Sequence, residues 1–301
     1  IYVDFAGSTG VSNKGINVPI TYTQAYASFG VRCLVGPTVP NNAGSLAAVK
    51  VTAPEGTILN APHPCAVAAR HITGQMLPDV VMGCLHQAVA DKAPAEGTSC
   101  LWNPALMGGH GLVPDEDFGD ATPFAVGLFH TGGAGARPHK DGLSATAFPS
   151  GVRNTPVEIN ESIAPIVVWK KEYRTDSGGA GEFRGGTGQV MEIASSENAP
   201  FAIAATFDRV HHAPRGREGG LDGFTGKVEL TSGAVLNNKG TQSIPRGDRL
   251  HLEMPGGGGY GDPFQRDPGQ VAIDVRDGMV SAQAALDLYG VVLDDSGAVD
   301  V

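Results

Sequence analysis

Two glycine-rich runs constrain this chain more than any other feature. They are GGAGAR at Gly132–Arg137 and GGAGEFRGGTG at Gly178–Gly188. Glycine inside ordered structure costs roughly 0.5–1 kcal/mol per residue relative to alanine, so such clusters persist only where backbone must come close to something or take a left-handed turn. The whole chain carries 43 glycines in 301 residues, about twice the usual ~7% share. No Gly-X-Y period is present, which excludes a collagen helix and points to a loop-rich, β-leaning fold. Between the clusters, the β-branched run Ile163–Trp169 reads as a buried strand. A third run, PGGGGYGDP at Pro255–Pro263, reads as a flexible exit from the β-rich region.

The length allows one large domain or two ordinary ones. A net charge of −10 with scattered basic residues argues against nucleic acid as a partner, because phosphate binding needs a positive patch. No apolar run approaches the ~20 residues of a membrane span, and no basic start followed by an apolar core marks a secretory leader. Cys33, Cys65, Cys84 and Cys100 lie far apart without a CxxC motif. They read as free, buried thiols of a cytoplasmic protein rather than a disulfide framework. The chain opens at Ile1 directly into strand-like IYVDFA, so further sequence is expected upstream or on a companion chain.

Residues 1–6 alternate as a strand does. Thr21 is placed to cap a helix whose apolar face is Tyr22, Tyr26, Phe29 and Cys33, at helical spacing. Leu46–Thr52 reads as a strand, and Cys65–Ala90 as helical, divided near Pro78. Leu101–Met107 and Phe124–Phe129 are candidate strands. After Pro149, the short β-type runs Ile163–Trp169, Gln189–Ile193, Phe201–Phe207, Lys227–Leu230 and Arg249–Glu253 are separated by turn residues, which suggests a sandwich or barrel-like region. Asp267-Pro268 and Ser281 are placed to start two short helices, and Gly290 to end the second. The expectation is an α+β fold: a mixed α/β region over 1–150, a β-rich region over 151–262 and a helical tail over 263–301.

The candidate chemistry clusters around the glycine runs. GGAGAR follows a strand, as a phosphate loop does, but lacks the GxxxxGK[ST] lysine; shaping of a site by backbone is the competing reading. Asp141, Glu158 and Glu161 have the side chains of general acids, bases or metal ligands. Glu158 lies in the alternation Val157-Glu158-Ile159, which on a strand sets it opposite its apolar neighbours, toward either a site or solvent. His130 and His139, with Asp141, supply metal-ligand types without a metal motif such as HExxH. Arg184 either serves a ligand or pins a carboxylate of the protein. His211-His212 reads as a surface turn. No GxSxG elbow is present.

The order of motifs carries more. DFAGSTG, NVPITYTQAYASFGVRCLV, APEGTILN, GGAGARPHKDG, NTPVEINE, DSGGAGEFRGGTG and PGGGGYGDP, followed by DVRDGMVSAQAALDLYGVVL, resemble the hydantoinase B/oxoprolinase family over essentially the whole chain. The resemblance covers only the C-terminal half of a typical member, so an N-terminal half is an expected partner. It implies an ATP-dependent enzyme in which an A-type partner holds ATP and phosphorylates the substrate oxygen. The B-type subunit then acts on that species, by hydrolysis of a small cyclic amide or, in ketone carboxylases, by carbon–carbon bond formation. A structural subunit without its own chemistry is the third reading. A divalent metal (Zn, Mn or Mg) is implied, with ligands outside this chain. Motif position sets Asp141, Glu158, Glu161 and His139 as catalytic candidates, and His130, Arg137, Asn154 and Arg184 as substrate-binding candidates.

Overall fold

The computed structural model describes residues 1–109, 121–146, 148–294 and 296–300. The chain divides into two compact units, Ile1–Pro94 and Ala95–Val301. The seam therefore falls at Pro94, and residue 150 lies inside the second unit.

In the first unit, β1 (Tyr2–Asp4) precedes α1 (Ile20–Val35), α2 (Ala43–Ala47), β2 (Lys50–Thr52), α3 (Arg70–Gly74) and α4 (Leu77–His86). β1 and β2 pair in parallel. The stretch read as strand from Leu46 starts instead as helix: the Asn42 side chain accepts from the Ser45 N–H, and Ser45 returns the bond in a capping box. α1 starts after Pro19, with Thr21 inside it, and buries Thr23, Ala27, Gly30, Val31 and Leu34. That face differs from the expected one, since Phe29 is 38% exposed. Small residues win it because α4 approaches closely: a Cβ on Gly30 would lie 2.9 Å from the Pro78 Cα. Tyr22 and Tyr26 stack on each other at 4.6 Å on the flank. The helical stretch is divided just before Pro78, which occupies the first turn of α4, where its missing N–H costs nothing.

The second unit contains β3 (Leu101–Trp102), β4 (Ala105–Gly108), β5 (Phe124–Gly127), β6 (His130–Thr131), α5 (Val157–Ile163), β7 (Ile166–Tyr173), β8 (Gln189–Ser195), β9 (Phe201–Thr206), β10 (Lys227–Leu230), β11 (Lys239–Ile244) and β12 (Leu250–Glu253). A 3₁₀ turn (Pro263–Gln265), α6 (Pro268–Arg276) and α7 (Ala282–Tyr289) follow. Two four-stranded sheets, ordered β10-β12-β8-β7 and β11-β9-β4-β5, share one core. Met191, Ile193, Leu250 and Leu252 from the first meet Leu106, Phe201, Ile203 and Ile244 from the second. This is a sandwich, with inward apolar positions at period two. β7 is an edge strand rather than a buried one. It carries a bulge between Val168 and Lys170, leaves Trp169 59% exposed, and stacks the Arg249 guanidinium 4.3 Å from that ring. Its lysines and its bulge also discourage pairing with other chains.

The glycine runs form a packed layer of their own. Pro255–Tyr260 is buried, so this stretch is part of the interior and not a flexible exit. Segments from Ala95–Thr98, Gly132–Ala136, Ser177–Gly188, Pro214–Gly226 and Met254–Gly261 lie against one another without side chains between them. A Cβ on Gly133 would sit 1.8 Å from the Gly186 carbonyl oxygen, and one on Gly257 would sit 2.0 Å from that of Ala134. Only glycine fits such an approach, as at the axis of collagen. Backbone bonds stitch the layer: the N–H groups of Ala136, Gly179, Gly186 and Gly257 donate to Gly258, Gly257, Ala134 and Gly186 at 2.8–2.9 Å.

The C-terminal helices start and stop where their caps predict. Asp267 accepts from the Gln270 N–H. Ser281 accepts from the Ala284 N–H, and Gly290 takes the left-handed conformation, φ 69°. They pack Val271, Val280, Ala285 and Tyr289 against Ala180 of the glycine layer.

Candidate functional site

The loop after β6 carries three of the candidate residues. Arg137 and Lys140 close a tight turn through paired backbone bonds of 2.8 and 3.3 Å, with Pro138 and exposed His139 at its tip. Arg137 donates to the Asp141 carbonyl oxygen at 2.6 Å. Asp141 turns inward. Its Oδ1 accepts from the Arg184 backbone N–H at 2.7 Å and from Arg266 at 2.8 Å, and its Oδ2 accepts a second Arg266 bond at 2.8 Å. Arg266 also reaches Asp274 at 2.8 Å, and Arg184 reaches the same carboxylate at 3.3 Å. Two arginines and two aspartates thus form a mostly buried network that ties the glycine layer to α6.

The electrostatics follow from this geometry. Burial alone would push the Asp141 carboxyl up, but the Arg266 fork and the Arg184 N–H together hold it below the usual carboxylate range. Burial pushes the Tyr289 hydroxyl, near the same charges, up to about 12. A carboxylate so strongly held is a poor proton acceptor near neutral pH, so Asp141 fixes the loop while His139 and Arg137 stand at its surface.

The structure brings Arg137, Asp141 and Arg184 together and sets the other candidates elsewhere. Asn154 is exposed ahead of α5, and Glu158 and Glu161 are exposed on that helix. The three-residue alternation that reads as strand is too short to fix a period; Pro156 opens a helical turn instead. Glu161 accepts from the Val168 N–H at 2.8 Å, joining α5 to β7. Among the described residues, no hydrogen bond or ion pair links Asp141 to Glu158 or Glu161. His130 is fully buried opposite Trp102, and neither ring nitrogen has a hydrogen-bond partner. Burial, with Lys171 nearby, brings its pKa down to about 3, so it is a neutral imidazole.

Several charged residues gave no motif signal. Glu96 is buried between Arg209 (3.1 Å) and Arg215 (2.7 Å to Nε). Burial opposes its ionisation, but those arginines lower its pKa. The signal for Asp274 was its position three residues after Val271, on the apolar face of α6. On the outer face of the first sheet, Glu229, His251 and Glu253 bring one donor atom each within 4.8 Å of one another. Glu192 lies across the strand from His251. Alternating polar positions in QVMEIAS, KVEL and LHLE encode this face.

Neither ATP nor the implied metal fits the predicted residues. The glycine runs present no phosphate cradle, because the N–H groups of Gly133, Ala134, Ala136, Gly179, Gly185 and Gly186 already donate to carbonyls of the layer. His130, His139 and Asp141 do not form a donor set: one is buried, one exposed, and Arg266 occupies both oxygens of the third. The cysteines are free, and only Cys100 is buried, its thiol pushed up to about 12. No helix among the described residues is long and apolar enough to cross a membrane.

Comparison with known proteins gives this architecture a lineage. The profile of the hydantoinase B/oxoprolinase family matches residues 1–263. A putative D-/L-hydantoinase polypeptide of B type from Pseudomonas sp. (strain NS671) is 31% identical, over 99% of this chain and 51% of that protein. The crystal structure of the ATP-dependent caprolactamase from Pseudomonas jessenii superposes with a TM-score of 0.78 at 26% identity, over 98% of this chain and 52% of that one. A nucleotide-free acetone carboxylase shares the fold, with a TM-score of 0.70 at 20% identity, over 100% of this chain and 45% of that one. The chain spans about half the length of these relatives. By sequence and by fold it belongs to the hydantoinase B/oxoprolinase family.

Proposed function

We propose that this chain is the C-terminal part of a B-type subunit in an ATP-dependent hydrolase of small cyclic amides. The observation that carries the reading is its likeness, in sequence and in fold, to an ATP-dependent lactam-opening enzyme of the same family. In this reading nucleotide is held by an A-type partner. A ring amide resists water because resonance weakens its carbonyl carbon as an electrophile. Transfer of the terminal phosphoryl group of ATP to the amide oxygen, leaving ADP on the partner, removes that protection. Addition of water, cleavage of the C–N bond with a proton passing to nitrogen, and release of inorganic phosphate to a second water then open the ring in a shaped pocket. In this reading, His139, Arg137, Asn154, Glu158 and Glu161, which stay exposed, are the residues that meet substrate or partner. Asp141 and Arg184 position the loop that carries the first two.

The test uses the full-length B-type subunit with its A-type partner. ATP should be cleaved in step with ring opening of hydantoin, 5-oxoproline or caprolactam, and neither reaction should proceed without the partner. No ring opening of any of them would overturn the reading. Bicarbonate-dependent ATP turnover with a ketone would replace it with the carboxylase alternative.

A further inference from the structure

We propose that Arg266 is a positioning residue: acting through Asp141, it sets the exposed Arg137–Lys140 turn and so governs turnover at the site that turn serves. This rests on the reading above, in which Arg137 and His139 meet substrate or partner. It adds control of that site by the C-terminal segment. Arg266 stands 125 positions from Asp141 in the sequence and beyond the end of the family profile at residue 263. The turn has little else to hold it. Arg137 and Lys140 exchange backbone bonds of 2.8 and 3.3 Å, and Arg137 donates to the Asp141 carbonyl oxygen at 2.6 Å. All three bonds are internal to the loop. Before the turn, the bonds to the glycine layer stop at Ala136. Among the described residues, the side chains of His139 and Lys140 make no hydrogen bond or ion pair.

After the turn, the ties start at Asp141 and Gly142. The Gly142 N–H donates to the Arg184 carbonyl oxygen at 2.7 Å, and Asp141 Oδ1 accepts the Arg184 N–H at 2.7 Å. Both are main-chain groups of Arg184 and do not depend on its side chain. Among the described residues, the one side chain that donates to the Asp141 carboxylate is Arg266. Its Nη1 and Nη2 take one oxygen each at 2.8 Å, the bidentate fork that fixes direction as well as distance. The same two nitrogens donate to the Glu182 carbonyl oxygen at 2.9 Å and to Asp274 at 2.8 Å. The Arg266 side chain is only 4% exposed. Its backbone lies between the 3₁₀ turn capped by Asp262 and α6 capped by Asp267. The clamp is therefore held rigidly from both flanks. A lysine ammonium is a point charge without a planar fork to match both carboxylate oxygens. Losing the fork frees the turn where a side chain holds it.

The experiment compares wild type, Arg266→Lys and Glu253→Gln in the full-length B-type subunit with its A-type partner. The first readout is native-state nicking by trypsin at Lys140–Asp141, followed by mass spectrometry and normalised to the unfolded chain. It is the turn's one susceptible bond, because Arg137 precedes Pro138. Nicking should speed up about tenfold in Arg266→Lys, as the open population grows with the lost bonds. The second readout is ATP-dependent ring opening. There kcat should fall by about 10–100-fold, with KM for ATP unchanged. Glu253→Gln breaks the Arg174–Glu253 pair on the sheet and should leave nicking and kcat at wild-type values, whatever it does to the melting temperature. Equal nicking in wild type and Arg266→Lys would overturn the proposal, as would faster nicking with unchanged kcat. Equal losses in Arg266→Lys and Glu253→Gln would reduce Arg266 to a general stabiliser and also overturn it. Should wild type open no ring, the functional reading fails, and nicking still decides whether Arg266 sets the turn. If Arg266→Lys does not fold, Asp141→Asn, which removes one of the two accepting oxygens, takes its place under the same readouts.

Discussion

Three N–H donors converge on the Asp141 carboxylate, and that convergence decides what the residue can do. Removing one partner of a buried ion pair costs about 3–5 kcal/mol. The Asp141 side chain is one-third exposed, so Asp141→Asn should cost less, about 2–3 kcal/mol at pH 7, measured by urea unfolding. Because the folded-state pKa is depressed, this contribution is complete above the unfolded value of ~3.9 and is lost as pH falls through the lower folded value. The gap between wild type and Asp141→Asn should therefore be full at pH 7 and close in strong acid. Glu158 is an exposed residue of α5. Glu158→Ala should leave the melting temperature unchanged, so any fall in turnover of the complex would report a functional contact. Arg137, His139 and Asp141 lie within five consecutive residues, so their shared loop was legible in the sequence. Arg266 and Asp274 were not, because the partners that tie them to the loop and the glycine layer, Asp141 and Arg184, are 125 and 90 positions away.

At the scale of elements, the glycine layer is defined by what it excludes. Gly257→Ala places a methyl group 2.0 Å from a carbonyl oxygen. It should destabilise the second unit by at least ~3 kcal/mol, at the upper end of overpacking effects, or prevent it from folding. Gly127, in β5, has nothing within 4 Å of the point where a Cβ would stand, and Gly127→Ala should change stability by less than ~0.5 kcal/mol. A urea series on the two variants separates close packing from mere glycine content. Four strands from Gln189 onward followed from β-type runs bounded by turn residues, but β11 (Lys239–Ile244), largely exposed and with a single buried residue, Ile244, did not. α5 and the edge position of β7 did not: a seven-residue helix and a bulged edge leave patterns shorter than the period that would identify them.

At the scale of the molecule, the family profile ends at residue 263, yet the ion network draws Arg266 and Asp274 from beyond it. The helices after Pro263 also cover Ala180. Deleting residues 264–301 should therefore lower the melting temperature of the second unit markedly, with Asp141 and Arg184 left without their counter-charges; an unchanged melting curve would show the network to be dispensable. By itself the sequence determined the family, the α+β class, most strands of the sandwich and the capped C-terminal helices. All of these are written in local periodicity, end signals and motif order. Tertiary structure alone decided that the glycine runs pack as an interior backbone layer, that Asp141 is tied to Arg266, and that Glu229, His251, Glu253 and Glu192 share one face. The reason is physical: backbone approach, charge pairing and cross-strand register are contacts between distant segments, and no short window of sequence contains both sides of them.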